Sequence, residues 1–141
     1  MQNIIDALNS YLRNELSAVE IYGVALGNVQ QLGLGALLED SKRSHFARVE
    51  LLRRRIVQLG GHPTESPGAW GLLAEAMEDG VKLEHRVNIS ALEEFEYSDL
   101  RRYRDELMKL DEQTQLLLRE HVLPAQERTY CTIKSIRTTL S

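Results

Sequence analysis

Apolar side chains recur every three or four residues through four long windows of this sequence, which is the spacing of one face of an α-helix. The windows cover residues 4–29, 37–59, about 82–108 and about 112–137. None of them shows the alternating pattern that is typical of a β-strand. A helix of about 26 residues is roughly 40 Å long. The pattern therefore predicts four long helices that must bury their apolar faces against one another.

Glycine and proline indicate where these helices end. They cluster at Gly33 and Gly35, and again in the stretch GGHPTESPG, residues 60–68, which has the composition of a loop. A shorter amphipathic segment, residues 69–78, lies between that loop and the third window. A long middle connection is typical of an antiparallel four-helix bundle whose second and third helices are joined by a cross-over. We predict an all-α bundle of this kind, with a short extra helix in the cross-over.

Length, charge and cysteine content exclude several classes of protein. A chain of 141 residues suits one domain, residues 1–141, because two cores would each be too small. The net charge of −4 provides no basic field for nucleic acid or an anionic membrane. No apolar run approaches the roughly 20 residues of a transmembrane helix. The single cysteine, Cys131, excludes an intramolecular disulfide and any multi-cysteine metal site. We expect a cytoplasmic protein that binds neither nucleic acid nor membrane.

Pro124 lies inside the fourth window. Proline lacks a backbone N–H, and its ring clashes with the carbonyl group of the residue four positions earlier, here Glu120, at a cost of about 3 kcal/mol or more. Two alternatives follow. Either the fourth helix kinks at Pro124, or it begins later than residue 112.

Polar residues interrupt each apolar stripe near its middle. In chain order they are Glu15, His45, Arg48, Glu93, Glu96, Glu127 and Tyr130. Because all four windows contribute, the sequence predicts a polar centre in the core of the bundle. An unpaired carboxylate is expensive to bury, so such a centre needs metal ions, protons or a basic partner.

Three segments resemble a known superfamily. The stretch LNSYLRNELSAVEIY, residues 8–22, resembles the first helix of bacterioferritins and other ferritin-like proteins, in which the glutamate of the NEL triplet binds metal. That residue is Glu15 here. The stretches IVQLGGHP, residues 56–63, and LEEFEYSDLRRYRDEL, residues 92–107, resemble the small bacterial YciF-type branch of the same superfamily. The resemblance implies a ferritin-like four-helix bundle linked to stress responses.

The ferritin-like metal site takes one glutamate from each of two helices and a Glu-x-x-His pair from each of the other two. No Glu-x-x-His pair occurs in this chain, because the residues three positions before its four histidines are Lys42, Leu59, Lys82 and Leu118. The resemblance places His45 and Arg48 at the second-helix pair. It places Glu93 at the third-helix glutamate, with Glu96 one turn away, and it places Glu127 and Tyr130 at the fourth-helix pair.

Two functions remain open at this point. In the first, the core metal site is degenerate, no cofactor binds, and the protein is a structural or interaction protein without ferroxidase turnover. Arg48 and Tyr130 are then polar partners in the core, and Arg48 pairs with Glu15 and Glu127. The missing Glu-x-x-His pairs favour this reading.

In the second, a di-metal site oxidises ferrous iron or consumes peroxide. Its iron or manganese ligands are Glu15, His45, Glu93, Glu96 and Glu127. For either function we expect a homo-oligomer, in the simplest case a dimer, and we assign no catalytic residue. An unidentified protein partner is compatible with the first.

Overall fold

The computed structural model describes residues 1–27, 32–68 and 85–140. Its helices are α1 (Gln2–Gly27), α2 (Leu32–Gln58), α3 (His85–Glu106), a 3-10 turn (Leu107–Lys109), α4 (Glu112–Leu117), a π-helical turn (Leu118–Val122) and α5 (Leu123–Leu140). The last three run on from one another and are called here the fourth rod, residues 112–140. No strand occurs in these ranges, so the prediction of an all-α protein with four long helices is confirmed. None of the described helices is long and apolar enough to cross a membrane.

One predicted break lies inside a helix. Helix α2 already includes Gly33 and Gly35, so the prediction that these two glycines interrupt the chain is wrong. A glycine inside a helix costs only about 1 kcal/mol relative to alanine. Burial of Leu34 and Leu38 against the core offsets that cost. The predicted extra helix at residues 69–78 lies outside the described residues.

A π-helical turn accommodates Pro124. The N–H of Leu123 bonds to the carbonyl oxygen of Leu118, five residues back, instead of the usual four. Such a wide turn leaves room where proline supplies no N–H. The rod begins at Glu112, where the side chain of Asp111 accepts a hydrogen bond from the backbone N–H of Thr114. The alternative that this helix begins after the proline is therefore wrong.

Two apolar clusters form the core. One contains Tyr22, Leu38, Leu92, Phe95 and Ile133 among its members, and the other contains Leu8, Leu12, Leu52, Tyr103 and Val122. Each long helix contributes residues to both clusters, and the residues of the two clusters lie in opposite halves of its length. The buried polar residues lie between them. Helix α1 packs chiefly on α2, and α3 packs chiefly on α5.

The connection after α2 is held against α1. Gly60 has a φ of +83°, and the N–H of Gly61 bonds to the carbonyl of Ile56, which together form a Schellman-type helix end. The side chain of Asn9 donates to the carbonyl of His62 and accepts from the N–H of Thr64. These contacts hold the connection against α1, and residues 61–68 contain no helix, as their loop composition predicts.

Gly61 should tolerate no larger side chain. A Cβ atom there would lie 2.7 Å from Cγ2 of Ile5 and 3.0 Å from Cγ2 of Ile56. Because both neighbours belong to the packed core, we expect Gly61→Ala to lower the free energy of unfolding by about 1–3 kcal/mol, measured by urea denaturation. The matched control is Gly35→Ala, since no atom of the described residues lies within 4 Å of that Cβ position. It should stabilise the helix by about 0.5–1 kcal/mol. A neutral Gly61→Ala would contradict the tight packing.

Candidate functional site

Four of the predicted polar residues meet between the two apolar clusters. Glu15, His45, Arg48 and Glu96 each have 0% of their surface exposed. They come from α1, α2 and α3. We call these four side chains the central network. Its existence confirms that the bundle has a polar centre, as the interrupted stripes predict.

His45 joins the two carboxylates. Its Nδ1 lies 2.5 Å from Oε1 of Glu15, and its Nε2 lies 2.5 Å from Oε1 of Glu96. A neutral imidazole can donate from only one nitrogen, whereas imidazolium donates from both. Burial and the charge of Arg48 lower the pKa of His45, but the two carboxylates outweigh them and raise it above its ordinary 6.5. His45 is therefore a buried cation.

Arg48 is the second buried cation. Its Nη1 lies 3.5 Å from Oε2 of Glu15 and donates to the side-chain oxygen of Gln126. Its Nη2 donates to the hydroxyl groups of Ser44 and Thr129, each at 3.1 Å. Its Nε donates to the backbone carbonyl of Ser44 at 3.3 Å. Every nitrogen of the guanidinium thus has a polar partner, as a buried charge requires.

Both glutamates of the central network are ionised. Burial by itself would raise the pKa of each carboxyl group. For Glu15 the charges of Arg48 and His45 outweigh burial, and for Glu96 His45 and then Arg48 do so. Both pKa values consequently lie below the ordinary 4.5. Two anions face two cations, so the central network carries no net charge.

Two tyrosines complete the hydrogen bonding of these carboxylates. The hydroxyl of Tyr103 donates to Oε2 of Glu15 at 2.6 Å, and that of Tyr22 donates to Oε1 of Glu96 at 2.7 Å. Burial, followed by the adjacent carboxylate, raises the pKa of each tyrosine well above 10. Both tyrosines therefore remain neutral donors.

The fourth rod contributes Gln126 and Thr129, which the sequence prediction missed. The amide nitrogen of Gln126 and the hydroxyl of Thr129 each donate to Oε2 of Glu96 at 2.8 Å. The same side chains accept from Arg48. The sequence does contain a pattern that indicates burial of these two residues. An apolar stripe passes through both positions, formed by Leu118, Val122, Ile133 and Ile136.

Glu127 and Tyr130 do not join the central network, so their predicted place in the core is wrong. Glu127 is exposed and pairs with Arg104, with 3.1 Å between Oε1 and Nη2. Tyr130 is half-buried, with its ring 5.7 Å from that of Tyr97. The predicted pairing of Arg48 with Glu127 is replaced by its pairing with Gln126. The physical reason is cost, since a neutral amide and a hydroxyl are cheaper to bury than another carboxylate.

Glu93 also lies apart from the central network. It is half-buried and forms an ion pair with Arg137 of the fourth rod. Glu96, three residues further along α3, is the residue that points into the core. Both glutamates were candidates, but the prediction of Glu93 as the main third-helix position is wrong, because Glu96 is the one that joins the central network.

Asp99 is a further buried acid that the sequence analysis did not single out. Its Oδ1 accepts a hydrogen bond from the side chain of Asn14 at 3.0 Å. Its Oδ2 is buried and has no hydrogen-bond partner among the described residues. Burial first, then the charge of Glu15, raises the pKa of Asp99 to about 8, although His45 opposes that shift. Asp99 is therefore chiefly protonated at neutral pH.

The donors of the central network do not fit a di-iron or di-manganese group. A histidine ligand must offer a neutral nitrogen with a free lone pair, and both nitrogens of His45 bond to carboxylates. Arg48 stands in the middle of the site and cannot bind a metal ion. Within the described ranges no three acidic, histidine or cysteine side chains are arranged to hold a metal ion.

The fold and this site define the class: an all-α, four-helix protein with a buried and internally neutralised ionic network. Comparisons of the chain with protein-family models, with curated proteins and with solved structures find no match.

Proposed function

We propose that this chain is a ferritin-like, antiparallel four-helix bundle in which two side-chain cations stand where related proteins hold two metal ions. In this proposal it is a structural or interaction protein rather than a ferroxidase. The observation that carries the proposal is the placement of His45 between the carboxylates of Glu15 and Glu96, with Arg48 beside Glu15.

The order of contributions along the chain supports the ferritin-like assignment. A ferritin-like site takes one, two, one and two ligands from its four helices, with each pair spaced i, i+3. Here the contributions, in chain order, are Glu15, then His45 with Arg48, then Glu96, then Gln126 with Thr129. The spacing of both pairs is kept, while the residue types that bind metal are replaced.

Charge balance supports the same conclusion. Four carboxylates of the full pattern neutralise two divalent ions. This chain retains two carboxylates at those positions, and one imidazolium and one guanidinium neutralise them. The loss of two negative charges accompanies the replacement of two divalent ions by two monovalent ones. A centre of this kind is neutral without metal, so binding a divalent ion would require the expulsion of a cation.

The contacts between α1 and α2 support an antiparallel arrangement. Ile5, near the start of α1, lies beside Ile56, near the end of α2, at Gly61. Glu15 meets His45 midway along both helices, and Gly23, near the end of α1, approaches Lys42. The remaining expectations, namely a stress-associated role, a cytoplasmic location and a homodimer, derive from the resemblance and stay part of the proposal.

Metal content tests the proposal directly. Protein produced in medium supplemented with iron and manganese should contain neither metal in stoichiometric amount by elemental analysis. A metal that binds only the folded chain must raise its stability. The Tm should therefore be the same with and without a chelator. Two metal ions per chain, with a Tm that falls on chelation, would establish the di-metal alternative instead.

A gain-of-function variant provides the matched control. The four substitutions His45→Glu, Arg48→His, Gln126→Glu and Thr129→His restore the full ligand pattern at the positions that we propose for it. This variant should take up iron or manganese, and its Tm should fall when the metal is removed. If it folds yet binds no metal under conditions that load other ferritin-like proteins, the assignment of these positions is wrong.

A further inference from the structure

Asp99 lies at the contact between α1 and α3 and forms no ion pair with the residues that the structure describes. Its exposed fraction is 4%, and its one hydrogen bond among the described residues comes from the neutral amide of Asn14. Its second carboxyl oxygen, Oδ2, is buried and accepts no hydrogen bond within residues 1–27, 32–68 and 85–140. A buried carboxylate in such a place is strongly disfavoured, whereas a carboxylic acid is not.

Among the described residues, the charged and titratable groups that face Asp99 are Glu15 on α1, His45 on α2, and Glu96, Arg102 and Tyr103 on its own helix. The two carboxylates, Glu15 and Glu96, oppose ionisation of Asp99, whereas His45 and Arg102 favour it. The fourth rod meets the central network with the uncharged side chains of Gln126 and Thr129. The cations His45 and Arg48 already neutralise Glu15 and Glu96. Ionised Asp99 would therefore add a third negative charge to a buried group that has only two positive ones.

We propose that Asp99 is a buried proton-binding site, and that release of its proton loosens the contact between α1 and α3. The central network would thereby respond to pH through a residue outside it. This inference rests on the metal-free network proposed above. The two proposals can fail separately, because metal content tests whether the central network is metal-free, and the infrared absorption of the carboxyl group tests whether Asp99 holds a proton.

The contact between α1 and α3 is the part of the bundle that such a charge would weaken. Besides Asn14 with Asp99, polar pairs connect these helices: Tyr11 donates to Glu106 at 2.8 Å, and Arg102 donates to Ser10. The backbones of α1 and α3 pack more closely on other partners, α2 and α5, than on each other. A new uncompensated charge therefore acts at the less closely packed contact of these two helices.

Infrared spectroscopy of the wild-type protein tests the proton directly. Carboxylic acid and carboxylate groups absorb at different frequencies, and exposed acids are ionised at pH 7. We expect one carboxylic acid band at pH 7 that disappears with a midpoint near pH 8 and is absent from Asp99→Asn. A spectrum without such a band at pH 7 would overturn the proposal, whatever the variants do.

The pH dependence of unfolding provides a second test. The stability contributed by a raised pKa is complete below the unfolded value, 3.8, and is lost as the pH rises through about 8. Between these limits the unfolding equilibrium constant of the wild type should rise by about tenfold per pH unit relative to Asp99→Asn. The control is Asp105→Asn on the same helix, whose side chain is 69% exposed. It should keep the wild-type slope.

Hydrogen exchange locates the structural consequence. After correction for intrinsic exchange rates, amides around residues 11–18 and 96–103 should lose protection above pH 8 in the wild type and in Asp105→Asn. They should keep it in Asp99→Asn, whose amide can accept from Asn14 and cannot ionise. Equal loss of protection in all three proteins, or an Asp99→Asn variant with the wild-type stability slope, would contradict the proposal.

Discussion

Replacing Arg48 with methionine should destabilise the folded chain by about 3–5 kcal/mol, the usual cost of leaving one partner of a buried ion pair uncompensated. Methionine fills similar space, so the loss comes from the charge rather than from a cavity. Glu15 would remain buried without the positive charge of Arg48 beside it. Gln126 and Thr129 would lose the hydrogen bonds that Arg48 donates to them. In a chain of this size the Tm should fall by roughly 10 °C. Urea denaturation followed by circular dichroism measures the effect.

A control and a double-mutant cycle isolate the charge. Arg53→Met removes an arginine from the same helix whose pair with Glu50 is 36% and 50% exposed, and it should cost no more than about 1 kcal/mol. Combining Arg48→Met with Glu15→Gln should cost less than the sum of the two single changes, by about 1–3 kcal/mol, because the carboxylate that needs the guanidinium is gone. Additive effects would show that Arg48 and Glu15 do not interact.

The second large effect is expected from His45→Gln, which removes the cation between two buried carboxylates. Both N–H donors of glutamine are on one nitrogen, whereas His45 reaches the two carboxylates from two separate ring nitrogens, and glutamine carries no charge. Glu15 and Glu96 would then repel each other in a site of low dielectric constant. We expect a loss of at least about 3 kcal/mol near pH 6. His121→Gln, with an exposed histidine in the fourth rod, should be neutral.

The pH dependence of this loss distinguishes a charged His45 from a neutral one. Because the pKa of His45 is raised above 6.5, its contribution is complete below that value and declines as the pH rises through the folded-state pKa. The contributions of Glu15 and Glu96, whose pKa values are lowered, are complete above 4.5 and decline as the pH falls. The penalty of His45→Gln should therefore be largest between about pH 4.5 and 6.5. A penalty independent of pH would mean that His45 is neutral in the folded chain.

Several features of the site were predictable because they depend on local spacing. Glu15, His45 and Arg48 lie in stripes whose other members are unambiguous, so each helix face, and with it the burial of these residues, follows from the period of 3.6. Helix α3 was harder, since Glu93 and Glu96 are one turn apart and share a face. Glu93 forms an ion pair with Arg137 near the surface, while Glu96 bonds to His45 in the core.

In the fourth rod, the spacing of apolar residues does not by itself determine which face of the helix is buried. Two stripes compete there, one through Leu116, Leu123 and Tyr130 and the other through Leu118 and Val122. The first places Glu127 in the core, and the second places Gln126 there. Only the second leaves the central network neutral, because it adds no third carboxylate to the two that His45 and Arg48 compensate. That balance involves residues from every helix, so no single window contains it.

Periodicity and breakers thus determine that this chain forms long helices, roughly where they begin and end, and that their buried faces carry charge. Tertiary packing decides which charges meet and in which protonation state. The reason is distance along the chain. Helical periodicity is a property of neighbours three or four residues apart, whereas the pKa values of His45 and Asp99 depend also on groups 30 to 84 residues away. Those groups act on one another only after the helices have removed them from water.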